Sequence, residues 1–185
     1  MIGEGFEELL GAARSGDASA LEALYRDLAP GVLGYLRAQG AAEPEDLASD
    51  VFVGVVRGLA SFRGSESDLR AWVFTIAHRR LVDERRRLGR RREAPVSPDD
   101  LPSLAGRAVG DVEEEAMAGL ERDRVRRMLE GLSADQRAVV LLRILGGLSV
   151  AEVARVLGKR QGAVKMLQRR GFARLARTLS PERVG

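Results

Sequence analysis

Apolar residues recur at helical spacing through most of the chain, and strand-type alternation is not sustained anywhere. In the first half, this pattern predicts a short amphipathic helix over Phe6–Arg14 and a longer one over Ala18–Ala38, with a kink or break at Pro30-Gly31. Pro44 stands where a first helical turn tolerates proline, so a helix is expected from there to about Leu59. A fourth helix follows a Gly/Ser-rich loop, and its apolar stripe comprises Leu69, Trp72, Val73, Ile76 and Ala77.

The second half is also helical, and its helix boundaries are better marked. A helix is predicted over Val112–Gly131. Two later helices are each preceded by a capping box, in which a serine accepts from a backbone N–H and a Glu or Gln side chain reaches back. The two boxes are formed by Ser133 with Gln136 and by Ser149 with Glu152.

Residues 94–112 interrupt the helical pattern. They contain Pro95, Pro98 and Pro102 together with Gly106 and Gly110, and they show no apolar period. Such composition is typical of a flexible linker. We therefore expect an all-α protein with two small helical domains, residues 1–93 and 113–185, joined by this linker.

Charge is segregated along the chain although the formal net charge is only +3. The run from Arg155 to Arg177 is basic and contains no acid, and a second cluster covers Arg85–Arg87 and Arg90–Arg92. Acids gather instead over 43–50 and 111–115. This distribution predicts two surfaces for a polyanion, with solvated helix faces as the alternative.

Composition argues against several classes of function. There is no cysteine, the only histidine is His78, and no phosphate-binding Gly-x4-Gly-Lys loop is present. We therefore expect no enzymatic site, no metal and no cofactor, and we expect His78 to lie exposed on its arginine-rich helix. The N-terminus lacks the plan of a signal peptide, and no apolar run approaches the ~18 residues of a membrane span. A cytoplasmic protein without membrane insertion is expected.

The segment from Val150 to Arg170 has the helix-turn-helix pattern. Ala154 supplies the small residue where the two helices touch, Gly158 can take the positive φ of the turn, and Val164 anchors the second helix. The other buried positions are expected to be Val153, Leu157 and Leu167. A helix-turn-helix of this kind binds duplex DNA.

The positions left exposed on the second helix suit contact with base edges in a major groove. Arg and Lys pair with guanine, and Gln pairs with adenine. Arg155, Arg170 and Arg174 are better placed for phosphates. The alternative is a packed helical hairpin that is merely basic. The predicted recognition face comprises Arg160, Gln161, Gly162, Lys165, Met166 and Arg169.

Motifs in both halves, in this order and spacing, resemble regions 2 and 4 of bacterial RNA polymerase sigma factors. The resemblance is strongest to the extracytoplasmic-function (ECF) group of the sigma-70 family. Its region 2 motifs are Glu45-Asp46-Leu47-Ala48-Ser49-Asp50-Val51-Phe52, Phe62-Arg63-Gly64 and Leu69-Arg70-Ala71-Trp72-Val73-Phe74-Thr75-Ile76-Ala77. Its region 4 motifs are Leu132-Ser133-Ala134-Asp135-Gln136-Arg137, Leu148-Ser149-Val150-Ala151-Glu152-Val153-Ala154 and Gly162-Ala163-Val164-Lys165.

The resemblance implies that the first domain binds the β′ clamp helices of core RNA polymerase, and that the second domain meets the β flap. The polymerase-binding residues would be Asp46, Ser49, Asp50 and Phe52. The two acids could instead be a solvated face, and Phe52 could complete the local core. The family often has glutamine where Ser49 stands, which leaves that contact open.

Promoter binding is also implied by the resemblance. Region 2 would read the −10 element and trap an unpaired base, and region 4 would read the −35 element as duplex. Trp72 fits the core better than base stacking, and Met166, where the family often has a small polar residue, would affect −35 preference. The residues implied for the −10 element are Phe62, Arg63, Ser65, Arg70, Arg79 and Arg80. The linker would thread towards the RNA exit path.

Two further points concern an inhibitory partner and an alternative function. The family implies an anti-sigma partner that covers the polymerase- and DNA-binding faces. The nearest alternative is a dimeric helix-turn-helix regulator that binds a palindrome without being a polymerase subunit, but this would leave the motifs of the first half unexplained.

Overall fold

The computed structural model describes residues 2–3, 5–93 and 125–179, with the backbone alone described for 91–93. All regular structure in these residues is helical, which confirms the predicted fold class. The predicted linker and most of the helix predicted over Val112–Gly131 lie outside them; residues 125–130 are helical. The helices are α1 (Phe6–Arg14), α2 (Ala18–Gln39), α3 (Pro44–Leu59), α4 (Glu66–Glu93), α5 (Ala134–Ile144), α6 (Val150–Leu157) and α7 (Gln161–Leu179).

Local signals in the sequence account for most helix ends. Proline begins α3, as predicted, and Gly40 ends α2 with φ +79°. Both capping boxes are present, so Ser133 and Ser149 each accept from the backbone N–H three residues later while that residue's side chain reaches back. Among the described residues, no helix combines the length and apolar character that a membrane crossing requires.

The break predicted at Pro30-Gly31 is wrong, because α2 is continuous through both residues. Proline in a helix costs about 3 kcal/mol. Here the turns on either side are held by the buried side chains of Leu28 and Val32, and tertiary packing outweighs the local cost. Gly31 serves a different purpose, since a Cβ at this position would lie 3.0 Å from the carbonyl oxygen of Leu145.

His78 is also not where the sequence pattern placed it. The Nδ1 atom of His78 lies 2.8 Å from the hydroxyl oxygen of Tyr35. Tyr35 is completely buried, and His78 is half-buried. Burial, with a contribution from Arg85, holds the pKa of His78 below its ordinary value, and burial raises the pKa of Tyr35. The basic character of α4 predicted exposure, but His78 lies on the side of α4 that faces α2.

The described helices form an N-terminal unit (residues 5–93) and a C-terminal unit (residues 125–179) that share one continuous core. The loop after α5 enters the N-terminal unit, where Cβ atoms built at Gly34 and Gly146 would lie 3.3 Å from Leu145 Cδ1 and 3.2 Å from Phe74 Cε2. Only small residues allow so close an approach. The two units are therefore packed directly against each other.

A polar contact lies beside this apolar one, where α6 packs along α4. Arg155 Nη2 is 3.2 Å from Asp68 Oδ1, and the hydroxyl of Ser67 donates to the carboxylate of Glu152. This hydrogen bond and those from Ser149 lower the pKa of Glu152, although its burial opposes the shift. One carboxylate of the N-terminal unit thus holds an arginine of the predicted DNA-binding segment.

Candidate nucleic-acid interface

The helix-turn-helix consists of α6, a short turn and α7. Ala154 is buried between the helices, Gly158 has φ +61°, and the N–H of Lys159 donates to the carbonyl of Ala154 at 2.9 Å. Val164 is fully buried and anchors α7, as predicted. At the end of α6, the predicted burial of Leu157 is not observed.

The residue buried at that end is Val156, while Leu157 is only half-buried. The buried face of this short helix is thus rotated slightly from the one expected, because α6 packs against α4 as well as α7. Contact with a second helix could not be read from a pattern that describes the motif alone.

The predicted recognition face is exposed. Met166, a large apolar side chain, is 45% exposed, although the hydrophobic effect favours burial of such a side chain. In the described part of the chain no ion pair engages the cations of α7's first three turns, so they are free to meet an anionic surface. All of its members are exposed, namely Arg160, Gln161, Gly162, Lys165, Met166 and Arg169, and so is Arg170, which is predicted to bind phosphate. Arg155 is exposed too, but it pairs with Asp68.

The loop between α3 and α4, residues 60–65, is held in place by its neighbours. Phe62 stacks on Trp72 with ring centroids 5.2 Å apart and planes 24° apart. Trp72 packs over Gly58, where a Cβ would lie only 2.7 Å from the indole. This packing supports the interpretation of Trp72 as a core residue, and it leaves Phe62 half-buried at the surface.

Two arginines donate to the same carbonyl in this loop. Arg14 Nη2 lies 2.6 Å and Arg63 Nη1 lies 2.7 Å from the carbonyl oxygen of Phe62. Arg14 belongs to α1, so the loop is attached to a distant part of the chain. No motif in the sequence singled out Arg14, because its partner is a backbone atom 48 residues away.

Ser65 and Asp68 cap the start of α4. The Ser65 hydroxyl donates to Asp68 Oδ2 at 2.7 Å and accepts from the Asp68 N–H at 3.3 Å. The hydrogen bonds from Ser65, followed by that from Arg155, hold the pKa of Asp68 below its ordinary value. Asp68 therefore joins the loop to the helix-turn-helix, a role that sequence reasoning missed.

The three arginines of α4 that were predicted to bind DNA differ in their surroundings. Arg79 and Arg80 are exposed. The side chain of Arg70 is only 15% exposed and pairs with Asp27 and, at 3.5 Å, with Glu66. Arg70 is thus committed to partners within its own unit.

The acidic side of α3 is a separate surface. Asp46, Ser49 and Asp50 are exposed, and the Ser49 hydroxyl donates to the carbonyl of Glu45. Phe52 is half-buried and lies edge-on to the exposed Tyr25. The ring therefore packs against the local core and also reaches the surface. The exposed Val53 and Val56 extend this surface along α3.

The attachment of the loop to α1 can be tested. Replacing Arg14 by Gln removes a charged donor whose hydrogen bond contributes about 1.5–3 kcal/mol. The resemblance to sigma factors implies that this loop receives an unpaired promoter base, and on that basis we expect the reconstituted polymerase complex to open a promoter labelled with 2-aminopurine roughly tenfold or more slowly. The matched control is Arg26→Gln, which removes an exposed arginine of α2 whose ion-pair partner among the described residues is Glu22. Equal slowing in both variants, or a lower melting temperature with normal opening, would contradict the assignment.

Together, the exposed basic recognition helix and the braced loop define a DNA-binding protein of the helix-turn-helix class. The family descriptions "Sigma-70 region 2" and "Sigma-70, region 4" match residues 24–91 and 122–175. The chain therefore belongs to the sigma-70 family, and its relatives place it in the ECF group. It is a sigma factor that directs transcription initiation.

Two relatives illustrate the similarity. ECF RNA polymerase sigma factor BldN of Streptomyces coelicolor is 36% identical over 93% of this chain, which spans 65% of the length of BldN. ECF RNA polymerase sigma factor SigD of Mycobacterium tuberculosis is 33% identical over 95% of this chain and 84% of SigD.

Solved structures agree with this family. CnrH, in complex with the cytosolic domain of CnrY, has a TM-score of 0.64 and 25% identity, covering 92% of this chain and 94% of CnrH. The sigma factor RpoE of Bartonella quintana, in complex with the anti-sigma factor NepR, has a TM-score of 0.64 at 24% identity and supports the fold.

Proposed function

We propose that this chain binds core RNA polymerase and positions it by dividing promoter recognition between its two units. Residues 113–185 would read the −35 element, residues 1–93 would bind polymerase and the −10 element, and residues 94–112 would link them. The observation that carries the proposal is the free, exposed recognition face of α7 in the same chain as the braced loop before α4.

Duplex reading would depend on the first turns of α7. Lys165 and Arg160 offer donors for guanine, Gln161 can pair with adenine, and the exposed Met166 can contact a thymine methyl. Arg169 would complete this face, while Arg170 would bind phosphates, which fix register without reading sequence. Arg155 would join Arg170 once it leaves Asp68.

The −10 element would be read after strand separation. The loop that carries Phe62, Arg63 and Ser65 would receive an unpaired base, and the exposed Arg79 and Arg80 would bind the backbone of the single strand. Arg70, already paired, would act by holding the start of α4. Capture of unpaired bases favours opening without ATP, so the chain would need no catalytic site of its own.

Polymerase would be bound through α3. The carboxylates of Asp46 and Asp50 suit a basic partner helix, and the neighbouring Phe52 and Val53 offer apolar contact area. Ser49 would contribute a hydroxyl to the same contact. The C-terminal unit would meet the β flap. Because its partners work on chromosomal DNA, we propose that the protein acts in the cytoplasm.

An inhibitory protein partner also belongs to this proposal. The structurally similar RpoE was solved with the anti-sigma factor NepR, and CnrH was solved with the cytosolic domain of CnrY. An anti-sigma factor that covers α3 or the recognition face of α7 would prevent the contacts proposed above. A dimeric regulator is not favoured, because it would have no use for the region 2 motifs.

Promoter binding requires the two units to separate. The −10 and −35 elements are named by their positions and are therefore about 25 base pairs apart. At 3.4 Å per base pair, this separation is about 85 Å of duplex. Asp68, beside the −10 loop, lies 3.2 Å from Arg155 of the helix-turn-helix. Residues 94–111 could extend to at most about 65 Å, and the helix predicted from Val112 adds about 20 Å up to residue 124, which together match this distance.

The test is reconstitution of the full chain with bacterial core polymerase, followed by sequencing of transcripts made from genomic DNA. We expect initiation at sites that share two upstream elements, and no initiation there without the chain. Unchanged start sites, or no binding to core polymerase, would refute the proposal. Binding of a palindrome by the chain alone would favour the dimeric regulator instead.

A further inference from the structure

The chain before α1 is attached to the end of the loop that the proposed function assigns to an unpaired base. The N–H of Ile2 donates to Glu66 Oε1 at 2.8 Å, and the N–H of Gly3 donates to Glu66 Oε2 at 3.0 Å. Both oxygens of one carboxylate therefore accept from backbone groups that are remote in the sequence. Because Glu66 is the first residue of α4, the attachment lies directly after the loop.

The carboxylate of Glu66 is well placed to hold these donors. Its side chain is 16% exposed and lies 3.5 Å from the guanidinium of Arg70, which in turn pairs with Asp27 of α2. Burial raises the pKa of Glu66, but the two backbone hydrogen bonds and the charge of Arg70 outweigh it and hold this pKa below its ordinary value. Glu66 therefore stays ionised and can accept both hydrogen bonds.

The other end of α1 is attached to the same loop. Arg14, the last residue of α1, donates to the carbonyl of Phe62. Between the two attachments α1 is a helix of nine residues, about 14 Å long, which buries Phe6 and Leu10. The stretch from Phe62 to Glu66 is thus held at both of its ends by one helical segment.

These two attachments serve the loop more than they serve α1. The helix is already fixed in the core by Phe6 and Leu10. In contrast, Arg63, Gly64 and Ser65 are exposed and bury little surface that could fix their conformation. A loop that is ordered before it meets its ligand loses less conformational entropy on binding. The attachments therefore preorganise the loop.

We propose that Glu66 is a positioning residue, and that α1, with residues 2 and 3 before it, is a brace that keeps the loop shaped for an unpaired promoter base. The brace needs both attachments, because a helix held at one end no longer fixes the distance between Phe62 and Glu66. The inference rests on the proposed function, and it extends the role of Arg14 to the segment before α1.

The experiment is a double-mutant cycle on the full chain bound to core polymerase, with opening of a 2-aminopurine-labelled promoter as the measurement. Glu66→Gln keeps one acceptor oxygen and loses the other together with the charge. We expect it to slow opening by roughly tenfold, as Arg14→Gln does. The variant with both substitutions should also be roughly tenfold slower, and not about 100-fold, because one loose end already disables the brace.

A second measurement separates positioning from folding. It compares binding of the complex to a single-stranded −10 oligonucleotide with binding to the same strand carrying an abasic site at each position in turn. Glu66→Gln should reduce the preference for the intact strand at the captured position, whereas a smaller folded fraction would weaken binding to every strand equally. The control is Glu22→Gln, which removes an exposed carboxylate of α2 and should match the parent in both measurements.

Additive slowing in the double variant, or an unchanged preference for the intact strand in Glu66→Gln, would overturn the inference. If the parent complex opens promoters and Glu66→Gln opens them equally fast, only the brace is refuted. If the parent complex itself fails to open promoters, the proposed function fails first, and the inference falls with it.

Discussion

Covalent attachment of the two units is expected to abolish promoter-directed initiation. The variant Gly34→Cys/Leu145→Cys places two thiols at a contact between the units, where a Cβ built at Gly34 lies 3.3 Å from Cδ1 of the native Leu145. When they are joined by oxidation or by a short bifunctional reagent, only one promoter element can be bound at a time. Specific protein–DNA recognition is worth roughly 4–10 kcal/mol, so losing one element should reduce initiation by about 100-fold or more.

The chain is well suited to this test because it contains no cysteine. Each single-cysteine variant, treated in the same way, controls for disturbance of the interface by the substitution itself. Initiation should return when an oxidised sample is reduced. If the joined protein initiates at the normal rate, the two units do not need to separate, and the division of the promoter between them is wrong.

Loss of base contacts by α7 should be the second largest effect. Each well-placed contact discriminates its base by about 1–3 kcal/mol. We expect Lys165→Ala and Gln161→Ala each to reduce holoenzyme binding to the preferred −35 sequence by roughly tenfold to 100-fold. Binding to a promoter with a scrambled −35 element should hardly change, so that the preference for the element is lost.

Arg170→Ala should behave differently, because phosphates position the protein without reading sequence. We expect weaker binding to preferred and scrambled promoters alike, with a salt slope shallower by about 1. Thr178→Ala, exposed near the end of α7, is the control. If Lys165→Ala weakens both promoters equally, Lys165 is a phosphate contact and the recognition face has been assigned wrongly.

Features that depend on neighbouring residues were predicted well. The start of α3 at Pro44, the two capping boxes and the turn glycine of the helix-turn-helix agree with the structure. Each is a short-range effect of backbone geometry or of a side chain on an N–H three residues away. Such effects act wherever the segment is placed in the fold.

Features that depend on distant contacts were missed or misread. Pro30 was expected to break a helix that packing holds together, and His78 was expected to be exposed although Tyr35 binds it. The pairing of Arg70 with Asp27 was also missed. In each of these places a partner remote in the chain decides the outcome, and residue types at one position do not report it.

The sequence by itself determined the helical class, the helix-turn-helix and the charged surfaces, because periodicity, capping and charge are properties of consecutive residues. Only the tertiary structure decided how those parts are used. It shows that Arg14 and Arg63 hold one loop carbonyl, that Asp68 joins this loop to Arg155, and that glycines let the loop after α5 enter the N-terminal unit. These contacts join residues far apart in the chain, and their energies exist only once the helices have packed.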